Sequence, residues 1–288
     1  MAKIGFIGLG TMGLPMSINL INGDHKVTGF DKNPDKLSAF QKAGGAVAKS
    51  SLECIKQAEF IITMLPQSSD VYEILINKNL TANSFLPGTI FIDMTTSHPH
   101  TTDKLHKHLS KINIEMLDAP VGRTSIMAAS GKLLIMVGGT KTTLIKAEPI
   151  LNLMGSTIVH CGGAGMGSRM KIVNNYMTTV TNLVTAETLN LCKKSGLDID
   201  LALKTMRQTT ANNGHIDKSY PARALQNNYD PIFALELAYK DLQIGIDLAE
   251  QIGTPTILGK EASKVYKKGI DKGLGKLDWT YMYELVKG

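Results

Sequence analysis

The stretch Ile4-Gly5-Phe6-Ile7-Gly8-Leu9-Gly10-Thr11-Met12-Gly13 constrains this chain more than any other, because it passes from a short apolar run into a helical pattern through glycines spaced G-x-G-x-x-G. Gly8 permits the tight turn, Gly10 lets a pyrophosphate approach the backbone, and Gly13 lets helix and strand pack closely. The amides of Thr11 and Met12 then face an anion at the positive end of the helix. Asp31 closes the next apolar run, 21 residues after Gly10. A carboxylate placed there accepts the ribose hydroxyls of NAD and repels a 2′-phosphate. Gly8, Gly10, Thr11, Met12, Gly13 and Asp31 are therefore the expected cofactor residues, with NADH preferred over NADPH; Lys32, next in the chain, argues the other way.

From residue 3 to about 160, short β-rich runs alternate with longer polar-apolar segments, the pattern of a parallel sheet covered by helices. Strands are expected at 3–7, 27–30, 60–65, 90–94, 114–117 and 133–137, and helices at 12–22, 34–43 and 69–76. Ligands of such sheets bind beyond the carboxyl ends of the strands, which adds Leu65 and Thr96 as candidate cofactor contacts. After the cluster Gly162-Gly163-Ala164-Gly165-Met166-Gly167, which reads as a hinge, residues 168–194 run without Gly or Pro. That is one long helix ended by Gly196. Helical periodicity continues at 201–208, 235–251 and 256–268. The expected architecture is α/β: a Rossmann-like, doubly wound, mostly parallel sheet over residues 1–165, then an all-helical domain over 166–288 for substrate binding and oligomerisation, joined by the long helix.

The 288 residues suffice for two domains with their own cores. Formal charge is +6, spread evenly: 15 Lys/Arg against 12 Asp/Glu up to residue 165, and 16 against 13 beyond it. Without a basic stripe, nucleic acid is not an expected partner. No apolar run approaches the length of a membrane span, and residues 1–8 lack a signal-peptide core, so a cytoplasmic protein is expected. Cys54, Cys161 and Cys192 have neither disulfide nor zinc spacing. His98, His100, His106 and His108 crowd one loop and helix, but their offsets do not converge on an ion. They read as surface residues, and no metal is expected.

At the start of the long helix Lys171, Asn174, Asn175 and Thr178 fall at offsets of three, four and seven, hence on one stripe. Such a stripe faces solvent or a site. A lysine there can donate a proton to a carbonyl under reduction and accept one in reverse. Spacing alone leaves a solvated helix face as an equal reading.

Gly8–Gly13, the loop Asp118-Ala119-Pro120-Val121, the run Gly167-Ser168-Arg169-Met170-Lys171-Ile172-Val173-Asn174-Asn175 and Lys240-Asp241-Leu242 together resemble the four ordered motifs of the β-hydroxyacid dehydrogenases, across essentially the whole chain. The resemblance implies Lys171 as catalytic acid/base, Asn174 and Asn175 beside the substrate, and Lys240 near the nicotinamide. It also suggests a homodimer or homotetramer. One departure is informative. Where the family usually continues with Ser-Gly-Gly, this chain reads Gly122-Arg123-Thr124-Ser125. An arginine supplies a permanent charge and a fork of donors, suited to a large oxyanion; the other reading is an outward surface ion pair.

With Asn174-Asn175-Tyr176-Met177, that loop is similar to the bacterial 3-sulfolactaldehyde-reducing subgroup, which acts in sulfoquinovose breakdown. This subgroup implies Arg123, Gly122, Thr124, Ser125, Asn174, Asn175 and Thr178 as contacts of a small anionic aldehyde or alcohol, a sulfonate by preference. Other readings remain at this point: a reductase of a carboxylated semialdehyde, a dehydrogenase of the sulfonated diol, and a non-catalytic dinucleotide-binding protein. Members of the last kind lose the lysine that stands at 171.

Overall fold

The computed structural model describes residues 1–77 and 80–287, and the chain divides into two compact units, Met1–Lys171 and Ile172–Gly288. The first unit carries nine strands: β1 (Lys3–Ile7), β2 (Lys26–Phe30), β3 (Ala46–Val47), β4 (Phe60–Thr63), β5 (Ile90–Asp93), β6 (Glu115–Asp118), β7 (Val121–Gly122), β8 (Leu133–Gly138) and β9 (Gly155–Gly162). Between them run α1 (Gly13–Asn22), α2 (Pro34–Lys42), α3 (Ser51–Ile55), α4 (Ser68–Tyr72), α5 (Pro99–Lys111), α6 (Ser125–Ala129) and α7 (Lys141–Met154), and α8 (Met166–Lys194) follows β9.

All nine strands form one sheet in the order β3-β2-β1-β4-β5-β6-β8-β7, with β9 beside β8. Pairs from β3 through β6 are parallel, while β8 runs antiparallel to β6 and β7. This is the doubly wound order, and it reverses between β1 and β4, where the crevice for a dinucleotide opens. Helices on both faces explain why Ile4, Phe6, Ile7, Ile61, Ile62, Phe91 and Ile92 are all buried, with no polar alternation. One apolar cluster holds Phe6, Leu20, Ile92, Ile135 and Leu151 on one side; another holds Ile7, Ile61, Leu75, Phe91 and Leu105 on the other.

Several elements differ from the sequence reading. β3 and β7 have two residues each, too short to leave a pattern. β9 is a half-exposed edge strand bounded by glycines. α7 carries Pro149 in its interior, a residue that reads as a helix stop. Helix 69–76 is α4 opening into a wider turn over Glu73–Asn77.

The second unit is helical, with an isolated bridge between Ala234 and Asp278 as its strand-like pairing among the described residues. Its elements are the rest of α8, then α9 (Ile199–Met206), α10 (Tyr220–Ala222), α11 (Leu235–Gln251), α12 (Ile257–Asp271) and α13 (Met282–Leu285). Asp198 accepts from Leu201 N–H at 2.8 Å and so starts α9 two residues before its apolar periodicity. No helix among the described residues is long and apolar enough to cross a membrane.

Asn182 of α8 anchors this unit's core. Its Nδ2 donates to Tyr266 Oη at 2.8 Å and to the Trp279 carbonyl at 3.0 Å, and Tyr220 Oη donates to Asn182 Oδ1 at 2.9 Å. Both tyrosines are fully buried, so their hydroxyls need these partners. Asn182→Leu keeps the branched shape and removes both the side-chain donor and the Oδ1 acceptor. We expect it to lower stability by about 1–3 kcal/mol, read from the urea midpoint; an unchanged midpoint would show that the network adds nothing net.

Candidate active site

At the carboxyl end of β1, Gly8 has φ +99°, and a Cβ on it would lie 2.3 Å from the Met64 carbonyl oxygen. A Cβ on Gly13 would lie 1.9 Å from the Gly8 carbonyl oxygen, so loop and helix meet backbone to backbone. Gly10 faces open space within 4 Å. α1 begins with no side-chain cap and no acid in its first turn. That leaves its positive end to an anion, so the loop fits a dinucleotide pyrophosphate. Asp31 holds the loop as well: Oδ2 accepts from Leu9 N–H at 2.7 Å and Oδ1 from Asn33 N–H at 2.8 Å. Each oxygen keeps a lone pair for a ribose hydroxyl.

Leu65, half-buried, lies against Gly8 and donates its N–H to Thr95 Oγ1 at 3.1 Å. Thr95 N–H, Thr63 Oγ1 and Ser97 Oγ all donate to Asp93, at 3.0, 2.9 and 2.9 Å. Burial pushes the Asp93 carboxyl pKa up, and these hydrogen bonds oppose the rise. The sequence reading named Leu65 and Thr96 but missed this web, which fixes the ends of β4 and β5. Its signal was present as Asp93-Met94-Thr95-Thr96-Ser97, where small hydroxyl residues crowd one acid.

Asp118, the acid of the Asp118-Ala119-Pro120-Val121 loop, is fully buried at the end of β6. Its Oδ1 accepts from Gly165 N–H at 2.8 Å and its Oδ2 from Ser168 N–H at 2.8 Å, so it caps the entry into α8. His106 Nε2 lies 2.9 Å from the same Oδ1. The surface reading of the histidines therefore fails at His106, whose side chain is 13% exposed and turned inward by this acceptor. His98 is also structural, its Nδ1 accepting from His100 N–H at 3.1 Å at the start of α5.

Arg123 stands between β7 and α6 with φ +79°, a backbone region that favours glycine. Its Nη1 donates to the Lys132 carbonyl at 2.6 Å and to Ser156 Oγ at 3.0 Å, and its Nη2 to Thr157 Oγ1 at 3.2 Å. Arg123 is exposed, as the outward alternative has it, but its partners are a carbonyl and two hydroxyls and no acid is among them. Nε–H and one Nη2 N–H remain for a ligand. Gly122, Thr124 and Ser125 flank it, half-buried.

Lys171, half-buried, is the last residue of the first unit. In the second unit Asn174 Nδ2 donates to Asn175 Oδ1 at 3.1 Å, and Asn175 Nδ2 to Asp241 Oδ2 at 2.6 Å. Lys240 Nζ pairs with Asp241 Oδ1 at 3.2 Å. The polar stripe is thus partly inward: Asn174 is exposed, while Asn175 is 4% exposed and tied to α11. Thr178 departs further, since His215 Nε2 lies 2.9 Å from its carbonyl and 3.2 Å from its hydroxyl. His215 was missed as an isolated histidine in a loop-rich stretch. Burial pushes its pKa down, which keeps the ring neutral.

The chain matches the family model of the NAD binding domain of 6-phosphogluconate dehydrogenase over residues 3–163, and that of the NAD-binding region of NADP-dependent 3-hydroxyisobutyrate dehydrogenase over residues 165–286. It is 40% identical to the 3-sulfolactaldehyde reductase of Escherichia coli (strain K12), covering 100% of this chain and 96% of that one. Identity to the mitochondrial 3-hydroxyisobutyrate dehydrogenase of Mus musculus is 34%, covering 99% and 87%. The structure of Mycobacterium tuberculosis 3-hydroxyisobutyrate dehydrogenase with L-serine superposes with a TM-score of 0.93 at 32% identity, over 100% of both chains. With the doubly wound sheet, the glycine loop and the lysine-bearing long helix all in place, the chain belongs to the β-hydroxyacid dehydrogenase family and is an NAD(P)-binding oxidoreductase that acts on CH–OH groups.

Proposed function

We propose that this enzyme reduces 3-sulfolactaldehyde to 2,3-dihydroxypropane-1-sulfonate, reversibly and with NADH, as a cytoplasmic step of sulfosugar degradation. The observation that carries this reading is Arg123. An arginine occupies a glycine-favouring backbone position and is braced by three hydrogen bonds, which leaves two donors for an oxyanion. The likeness to the Escherichia coli enzyme supports it.

When bound, the nicotinamide cofactor supplies the hydride. Gly8, Gly10, Thr11, Met12 and Gly13 would hold its pyrophosphate and Asp31 its ribose, Leu65 and Thr96 would contact it from the strand ends, and Lys240 would stand near the nicotinamide. Lys171 Nζ gives a proton to the carbonyl oxygen during reduction and takes one from the alcohol in reverse. Arg123 holds the sulfonate, with Gly122, Thr124 and Ser125 lining its loop. Asn174, Asn175 and Thr178 orient the substrate; Asn175 acts from a position set by Asp241. Orientation of this kind contributes as much as acid catalysis.

A second reading, a carboxylated semialdehyde as substrate, is favoured by the TM-score of 0.93 to the 3-hydroxyisobutyrate dehydrogenase structure. Arg123 separates the two. Arg123→Gly relieves its backbone conformation, so the fold should tolerate it. We expect kcat/KM for 3-sulfolactaldehyde to fall about 10²-fold, and for succinic semialdehyde by less than about tenfold. Equal losses would remove the selective role.

Lys171→Ala should lower kcat in the NADH-oxidation assay by about 10²–10⁴-fold. Near-normal turnover would end its assignment. Asp31→Ala should weaken both cofactors by freeing the Leu9 amide, yet cost NADH about tenfold more than NADPH, since it also removes the repulsion of a 2′-phosphate. Parallel fluorescence titrations check this, and equal losses would contradict the stated preference.

A further inference from the structure

The first turn of α8 is gripped from two sides within the first unit. From β6, Asp118 binds the amides of Gly165 and Ser168 through separate oxygens. From α5, three side chains at offsets of one and four reach the same turn, directly or through Asp118. Thr102 Oγ1 lies 3.0 Å from Ser168 Oγ. Asp103 takes both Arg169 nitrogens, at 2.9 and 2.7 Å. His106 Nε2 reaches Asp118 Oδ1 at 2.9 Å.

Gly167 closes the grip. A Cβ there would lie 2.4 Å from the carbonyl oxygens of both Asp118 and Met136, so the turn is pressed onto the strand ends. Within the glycine cluster, Gly165 and Gly167 are closely packed, whereas a Cβ on Gly163 would meet nothing within 4 Å. Lys171 follows Ser168 by three residues and Gly167 by four, on the same side of the helix. Whatever sets the Ser168 amide therefore sets the lysine one turn on.

We infer that His106 is a positioning residue for Lys171, acting through the buried Asp118 carboxylate; the inference rests on Lys171 being the acid/base. Asp118 Oδ1 takes two donors and Oδ2 one. A backbone amide must donate, so the match is complete when His106 Nε2–H donates as well. Without His106 a fully buried oxygen keeps a single neutral donor, and its carboxylate loses one of the three contacts that fix its rotation. A shift of about 1 Å in a catalytic group can cost 10²-fold in rate, so the effect appears in turnover and not in cofactor affinity.

The test compares His106→Leu with His106→Gln, whose amide nitrogen reaches the place of Nε2. For His106→Leu we expect kcat to fall about 10–100-fold, with the NADH dissociation constant within about twofold of the parent. Amide hydrogen exchange in a peptide spanning residues 163–172 should quicken about tenfold. His106→Gln should restore both. Unchanged kcat and exchange in His106→Leu would overturn the inference, and so would equal loss of NADH binding and of exchange protection throughout the chain, which marks a purely structural role. If the leucine variant does not fold, His106→Asn, whose amide stops short of Asp118, is read by the same measurements. Lys171→Ala separates the two levels. Normal turnover there ends the acid/base assignment, whereas a dead Lys171→Ala beside an unaffected His106→Leu overturns this inference alone.

Discussion

One buried carboxylate organises the join between sheet and long helix in the first unit. Asp118 lies at the end of β6 and takes three donors from two other elements, which turns the end of a strand into the socket of a helix. The helix it receives, α8, runs 29 residues and carries Lys171, Asn174, Asn175 and Thr178. A carboxylate in such a place costs free energy unless fully partnered. The amides at 165 and 168 would in turn lack partners as a helix opens without them. Each side completes the other, and this mutual dependence explains why an acid, a glycine cluster and a histidine far apart in the chain have to occur together.

Much of the fold was legible in the residues. G-x-G-x-x-G between strand and helix, an acid 21 residues on, and the change to uninterrupted helical periodicity after residue 167 are local patterns, and each led to the element the structure contains. What stayed hidden was non-local or self-contradictory. Pro149 inside α7 argued against its own helix. β9 is held by pairing with β8, not by its own alternation. His106 looked superficial because its acceptor, Asp118, is twelve residues away on another element.

The candidate site was legible as a set of residues and not as a set of partners. Asp31, Asn175 and Thr178 were read by what they offer a ligand, yet each also holds its own protein, at Leu9, Asp241 and His215. Polar side chains in such a site serve both ends, since an unsatisfied buried amide costs about as much as a ligand contact gains. The even spread of charge likewise conceals where charge acts. In the proposed reaction Asp31 bears on the cofactor, Arg123 on the far end of the substrate and Lys171 on its proton, and none of the three stands out in the net +6.

In the proposed reaction Arg123 turns the β-hydroxyacid dehydrogenase scaffold toward a sulfonate. The direct measurement is kcat/KM of the unmodified enzyme with NADH for 3-sulfolactaldehyde against its carboxylated and phosphorylated counterparts. The sulfonate should lead the carboxylate by about 10²-fold. A carboxylate that matches or exceeds the sulfonate would contradict it.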